Sequence, residues 1–163
     1  MLERLRSSMP HGFRGAPADG PVAAARQRVV SVVSGWHLGL SQDRLDDLRL
    51  LASEVVTNAL KHTSGACAVC VRWTGTRVRV EVTDQDSALP RPADGGLEEE
   101  SGKGLMLVAA LSAEWGAEPS TAGKTVWFEI APDESAAARR RPAGDAFPAS
   151  SHTHVRLLLR GAA

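Results

Sequence analysis

Two pairs of alternating segments, each joined by a glycine-containing turn, constrain the fold of this chain more than any other feature. In the segment RVRVEVTD, Val78, Val80 and Val82 alternate with charged residues, and the segment ACAVCVRWT precedes it across a turn at Gly75. Because successive strand residues face opposite sides, this pattern predicts a hairpin with one buried face. A second predicted hairpin runs from AEPS to KTVWFEIA, with its turn at Thr121–Gly123. A sheet with one apolar face needs a second layer to cover it.

Three segments with helical periodicity are available for that layer. The first follows Pro21 and ends at Gly35, and the second follows Ser41, a residue type that caps helix N-termini. The second segment has acidic residues in its first turn, Lys61 in its last turn and one apolar stripe. The third follows Gly104. The order of elements predicts an α+β fold, a two-layer α/β sandwich whose mixed, largely antiparallel sheet is covered by helices on one face.

A change in composition near Pro132 predicts the end of the domain. Apolar residues make up 43% of the 163 residues, which is enough for one packed core. Beyond Pro132 the chain is rich in Ala, Pro, Ser and Arg and has no sustained period, although the segment VRLLLR is apolar enough to dock weakly. We therefore predict a flexible N-terminus over residues 1–12, a domain over residues 13–132 and a disordered tail over residues 133–163.

Charge and composition exclude several classes of function. Nineteen basic residues match nineteen acidic ones, so the chain lacks the positive charge with which proteins bind nucleic-acid phosphates. No apolar run approaches the ~18 residues of a transmembrane helix, and the N-terminus lacks the apolar stretch of a signal peptide. Cys67 and Cys70 are three residues apart in a strand pattern, which is unsuitable for a zinc site. We expect a cytoplasmic protein with no direct nucleic-acid or membrane partner.

Polar residues at three places are candidates for chemistry. Glu54 and Asn58 are four residues apart on one side of the second helix, where an amide suits Mg²⁺ and a carboxylate suits proton transfer. The alternative is an ordinary pair at a helix flank. Asp84 ends a strand, so it is either a turn former or a buried acceptor for an amino group of a ligand. The segment Ser101–Leu105 contains two glycines before a helix, which indicates either a phosphate-binding turn or a flexible one.

The order of these motifs resembles the GHKL ATPase superfamily, which includes gyrase, histidine kinases and MutL. Within it, the segments LRLLASEVVTNALKHT, VEVTDQDSALPRP, SGKGLMLVAALSAEWG and GKTVWFEI are most similar to the anti-sigma-factor serine kinases and to single-domain ATP-binding regulators of actinomycetes. The resemblance covers about residues 13–131. It implies a Bergerat-type ATP-binding fold with ATP and Mg²⁺ as cofactors.

The resemblance also implies a role for each motif residue. Glu54 would be the general base, Asn58 would coordinate Mg²⁺, and Asp84 would bind the adenine amino group. Thr125 would support the adenine pocket through water. The family's first glycine box reads Asp-x-Gly, whereas this chain has Asp86 at the last position, which adds bulk and negative charge near the nucleotide.

The glycine-rich segment would form the phosphate lid by the same resemblance. Gly102, Gly104 and Leu105 match the family's Gly-x-Gly-Leu pattern at the start of a helix. Lys103 lies between the two glycines, and its position there makes it a further candidate phosphate contact.

The function that the resemblance implies is regulation of transcription. The protein would sequester a sigma factor and, as an ATP-dependent serine/threonine kinase, phosphorylate a serine of a small anti-anti-sigma antagonist of the STAS type. The alternative is a nucleotide-binding or ATP-free regulator that acts only by sequestration, which Asp86 favours. A histidine kinase fragment is disfavoured, since the sequence shows no helical hairpin with a phosphorylatable histidine. The resemblance leaves a homodimer open.

Overall fold

Three helices and five strands make up the part of the chain that the structure describes. The structure is a computed structural model, and it describes residues 20–61, 66–90, 100–134 and 154–160. In chain order the elements are α1 (Gly20–Gly35), α2 (Gln42–Lys61), β1 (Ala66–Trp73), β2 (Val78–Asp84), α3 (Glu100–Leu111), β3 (Glu114–Ser120), β4 (Gly123–Ile130) and β5 (His154–Arg160).

The strands form one sheet with the order β3-β4-β2-β1-β5. β1 and β2 form the first predicted hairpin, β3 and β4 form the second, and β2 pairs with β4 between them. Every pairing among the described strands is antiparallel, which agrees with the prediction of a largely antiparallel sheet. The predicted α+β sandwich is confirmed.

The helices cover the apolar face of this sheet. Val78, Val80 and Val82 of β2 are buried there, as their alternation predicts. The apolar stripe of α2 packs against β1, β2 and β4, and its Leu48 and Leu51 are fully buried. α1 and α3 lie beside α2, with α1 also contacting β5 and α3 contacting β3. The helix layer therefore depends mainly on α2, the helix that carries the candidate Glu54 and Asn58.

The N-terminus of α2 is fixed from two directions. Ser41 Oγ accepts a hydrogen bond from the backbone N–H of Arg44 at 3.3 Å, which confirms the predicted N-cap. The backbone N–H of Ser41 donates to Asp133 Oδ2 at 2.9 Å, just beyond β4. Hydrogen bonding to Ser41 lowers the pKa of Asp133 below its ordinary value. The end of the sheet is thereby attached to the start of the helix that covers it.

The prediction of a disordered tail over residues 133–163 is wrong for β5. This strand pairs with β1 from Ala66↔Arg160 to Arg72↔His154. Leu157 and Leu159 pack partly buried against the core, whereas Leu158 between them is 73% exposed. An unpaired strand edge offers a row of backbone donors and acceptors, and β5 satisfies those of β1. The predicted N-terminal segment 1–12 and residues 135–153 of the predicted tail lie outside the described residues.

Deleting residues 154–163 is expected to destabilise the domain. The burial of Leu157 and Leu159 contributes about 2 kcal/mol to the free energy of unfolding. For a domain of this size that loss lowers the melting temperature by roughly 5–10 °C. Thermal unfolding followed by circular dichroism measures the change, and Leu158→Ala, at the exposed position, serves as the control. An unchanged melting temperature in the deletion variant would show that β5 adds nothing to stability.

No helix of the described residues is long and apolar enough to cross a membrane.

Candidate functional site

Glu54 and Asn58 lie on the side of α2 that meets α3. Both side chains are half-buried, and neither makes a hydrogen bond or ion pair with the residues that the structure describes. Ser120 Oγ is the one fully buried side-chain polar atom without a partner in the described ranges, so no polar atom of Glu54 or Asn58 belongs to that class. A carboxylate and an amide are thus presented together with their hydrogen-bonding capacity available to a ligand.

Gly104 of α3 approaches this pair most closely. A Cβ atom at position 104 would lie 2.6 Å from Glu54 Oε2 and 3.5 Å from Asn58 Nδ2. The neighbouring Gly102 and Leu105 are buried, whereas Lys103 is exposed. The structure therefore brings Glu54, Asn58 and Gly104 together and directs Lys103 towards solvent.

α3 begins earlier than the sequence predicts. We predicted that the segment Ser101–Leu105 precedes the helix, whereas α3 begins at Glu100 and includes both glycines. The first four N–H groups of a helix have no partner within it, so those of residues 100–103 are available at the positive end of the helix dipole. Gly104 has no side chain, so α3 can pack closely on Glu54. This role in helix packing differs from that of a flexible turn.

Asp84 ends β2 in a buried position and pairs with a lysine. Asp84 is 2% exposed, and Lys124, directly opposite on β4, is 5% exposed. Lys124 Nζ lies 3.1 Å from Asp84 Oδ1 and 2.8 Å from Asp86 Oδ2. Asp84 Oδ1 also accepts a hydrogen bond from the backbone N–H of Asp86 at 2.9 Å. The negative charge of Asp86, which stands at the position of the expected glycine, is therefore paired with Lys124.

Gly123 holds Lys124 in register with Asp84. Its φ is 149°, a conformation that side chains disfavour. A Cβ atom there would lie 2.4 Å from the Asp84 carbonyl oxygen and 2.6 Å from the Gln85 carbonyl carbon. Because these are backbone atoms, they cannot move aside as a side chain can. The close approach of the two strand ends at this site therefore requires glycine.

Thr125 lies on the opposite face of the sheet from Asp84. Its hydroxyl oxygen is 2.8 Å from that of Thr83, its cross-strand partner. Strand residues alternate, so Lys124 and Val126 face the helices and Thr125 faces away from them. Beside Asp84 the structure therefore has Lys124, and the role of Thr125 in supporting the adenine pocket through water stays a prediction. The sequence held a signal for Lys124, because a charge in phase with the buried residues of a strand needs a counter-ion.

The two cysteines are both part of β1. Cys67 is buried and Cys70 is half-buried in β1. Burial raises the pKa of both thiols, and the negative charges of Asp84 and Glu81, respectively, raise it further. Among the described residues, no group of three or more His, Cys, Asp or Glu side chains is placed to hold a metal ion. Both thiols are therefore protonated at neutral pH and belong to the packing of the sheet.

A family model of the histidine kinase-like ATPase domain matches residues 16–130. The chain belongs to this family. An uncharacterized protein of Streptomyces coelicolor is 32% identical over 99 residues, which are 58% of this chain and 94% of that protein. The predicted GHKL-type superfamily is confirmed, and membership of the histidine kinase-like ATPase family supports an ATP-binding function.

The residues of this histidine kinase-like ATPase domain fit Mg·ATP. The described contacts of the Asp84 carboxylate fall on Oδ1, so Oδ2 is an acceptor suited to an amino group. The N–H groups at the start of α3 suit phosphate oxygens. The half-buried Asn58 amide suits Mg²⁺, an ion that takes few protein ligands and is also coordinated by phosphate oxygens.

Proposed function

We propose that this chain is an ATP-dependent regulatory serine kinase of the anti-sigma-factor kind. In this proposal it sequesters a sigma factor and phosphorylates a serine of a small STAS-type antagonist. The observation that carries the proposal is the half-buried Glu54 carboxylate, which lies beside Asn58 and Gly104 without a partner among the described residues. Nucleotide binding alone needs Asn58 for the metal, whereas the adjacent carboxylate of Glu54 adds a group that can accept the proton of an attacking hydroxyl.

Each polar side chain has one role in the proposed reaction. Asn58 holds Mg²⁺, and Glu54 accepts the proton of the serine hydroxyl as its oxygen attacks. Lys103, exposed in the first turn of α3, contacts phosphate oxygens together with the free N–H groups of that turn. Bound Mg·ATP supplies the phosphoryl group, whose bond to ADP breaks as the phosphoserine ester forms.

Sequestration without phosphate transfer is the second candidate function. Asp86 favours it, because it stands where the family keeps a glycine and Lys124 holds its carboxylate beside Asp84, the residue at which the adenine amino group is expected. The domain would then hold its partner with ATP as a structural ligand or without ATP. A homodimer is compatible with both candidates.

Incubation with Mg²⁺ and ATP labelled at the γ-phosphate, together with a panel of STAS-type antagonist proteins, tests the proposal. We expect label on a serine of one antagonist, and we expect that antagonist to release a sigma factor bound by the unmodified protein. Transfer to none of the antagonists by a protein that binds both ATP and a sigma factor would favour sequestration alone.

Replacing Gly104 by alanine is expected to separate catalysis from stability. The Glu54 carboxylate is the end of a flexible side chain, so it can move away from a new methyl group that would otherwise lie 2.6 Å away. Alanine also favours a helix interior over glycine by up to about 1 kcal/mol. We expect an equal or higher melting temperature and phosphate transfer slower by roughly tenfold or more, because the base is misplaced.

The matched control for this variant is Gly35→Ala, since a Cβ atom at Gly35 would meet nothing within 4 Å. Its transfer rate is expected to equal that of the wild type. Phosphate transfer at the wild-type rate by Gly104→Ala would contradict the close approach of α3 to Glu54.

A further inference from the structure

The ammonium group of Lys124 is buried and contacts oxygen atoms of the protein itself. Its Nζ atom lies 3.1 Å from Asp84 Oδ1, 2.8 Å from Asp86 Oδ2 and 3.4 Å from the Asp86 carbonyl oxygen. An ammonium group has three N–H donors, and three protein oxygens surround this one. Burying a charge is costly unless it is paired. Lys124 is therefore placed to hold neighbouring groups, since it donates hydrogen bonds to two oxygens of Asp86 and forms an ion pair with Asp84.

The Asp84 carboxylate is held through one of its two oxygens. Oδ1 contacts Lys124 Nζ and accepts the N–H of Asp86, whereas Oδ2 makes no hydrogen bond with the described residues. The side chain is also 2% exposed, so little solvent is available to orient it. A carboxylate fixed in this way presents a single acceptor, Oδ2, in a defined direction.

We infer that Lys124 is a positioning residue that selects the nucleobase, an inference that rests on the proposed nucleotide-binding function. By holding Oδ1, Lys124 keeps Asp84 an acceptor whose Oδ2 pairs with an exocyclic amino group. A 6-oxo purine would place a second acceptor against Oδ2, and a purine without a 6-substituent would leave Oδ2 unpaired. A site built around a polar group rejects an analogue that cannot pair with it.

Loss of Lys124 should therefore change selectivity as well as affinity. In Lys124→Met the aliphatic stem is largely kept, but Asp84 Oδ1 loses its cation and the carboxylate faces Asp86 without the charge that separates them. The preference for a 6-amino group should fall, because Oδ2 is no longer held in one direction. A lysine that only stabilises the fold would leave the ratio of affinities unchanged in the folded variant.

Calorimetric titration with ATP, inosine triphosphate and purine riboside triphosphate, each with Mg²⁺, tests this inference. The wild type should prefer ATP over both analogues by roughly tenfold or more. Lys124→Met should weaken ATP binding by roughly tenfold and bind all three nucleotides within about threefold of one another. Arg28→Met, which removes an exposed positive charge from α1, is the control and should keep the wild-type ratio.

The outcomes separate this inference from the function on which it rests. A wild type that binds none of the three nucleotides would overturn both. An unchanged preference in Lys124→Met would overturn the positioning role alone, and tighter ATP binding would show instead that Lys124 competes with the base. If Lys124→Met does not fold, Lys124→Gln keeps N–H donors near the same place without the positive charge. Its preference should fall to an intermediate value, and a wild-type preference there would overturn the inference.

Discussion

Glu54→Gln is expected to slow phosphate transfer to an antagonist by about a hundredfold to ten-thousandfold, the usual contribution of a general base. Glutamine has nearly the same shape as glutamate but cannot accept the serine proton. Since Glu54 makes no hydrogen bond or ion pair with the described residues, its replacement should not disturb the fold. ATP affinity should stay within about threefold of the wild type, because a base acts chiefly in the transition state. Initial rates at saturating ATP measure the effect.

Glu118→Gln is the matched control for this variant. Glu118 is an exposed residue of β3, and the same change of charge there should leave the transfer rate unchanged. Phosphate transfer at the wild-type rate by Glu54→Gln would show that Glu54 takes no part in the reaction. The main observation in favour of a kinase would then be lost.

Asp84→Asn is expected to weaken ATP binding by roughly tenfold to a hundredfold, which corresponds to the loss of a charged hydrogen bond of about 1.5–3 kcal/mol. The amide is isosteric with the carboxylate but can place a donor where the adenine amino group needs an acceptor. The fold should persist because Lys124 keeps Asp86 as its counter-ion at 2.8 Å. Calorimetric titration with Mg·ATP measures the affinity, and circular dichroism verifies the fold.

Asp43→Asn provides the comparison for Asp84→Asn. Asp43 is exposed in the first turn of α2, so its replacement removes one negative charge away from the site. Its ATP affinity should equal that of the wild type. Equal ATP affinities in the two variants would mean that Asp84 does not contact the adenine ring.

Local patterns were sufficient to predict most of the fold. The alternation of Val78, Val80 and Val82 with charged residues determines which face of β2 is buried. Ser41 determines where α2 begins, because its hydroxyl satisfies a free N–H of the first turn. Both signals lie within a few residues of the structure that they specify, so the sequence alone is informative.

Long-range contacts were not predictable in the same way. β5 pairs with β1 across more than eighty positions of sequence, and nothing in VRLLLR indicates which strand edge it meets. The attachment of Asp133 to Ser41 likewise depends on where β4 ends relative to α2. Each of these contacts depends on where elements distant in sequence lie relative to one another, which local patterns do not specify.

The candidate site combines a feature that a local pattern predicts with a contact that depends on long-range packing. The spacing of Glu54 and Asn58 on one helix predicts that they share a side, and the structure places both beside Gly104. The contact with Gly104 itself depends on how α3 packs, which the spacing of residues does not determine. The role of Thr125 rests on the resemblance and stays a prediction, whereas the burial of Lys124 could have been predicted from the strand alternation of β4.

Calorimetric titration of the wild type and of Asn58→Ala with ATP, each with and without Mg²⁺, tests most directly whether α2, β2 and α3 form one Mg·ATP site. The wild type should bind one ATP per chain, with affinity at least roughly tenfold higher when Mg²⁺ is present. Asn58→Ala should bind ATP with an affinity that no longer depends on Mg²⁺, because the protein ligand of the metal has been removed. No binding by the wild type at millimolar Mg·ATP, or the same dependence on Mg²⁺ in the variant, would contradict this site.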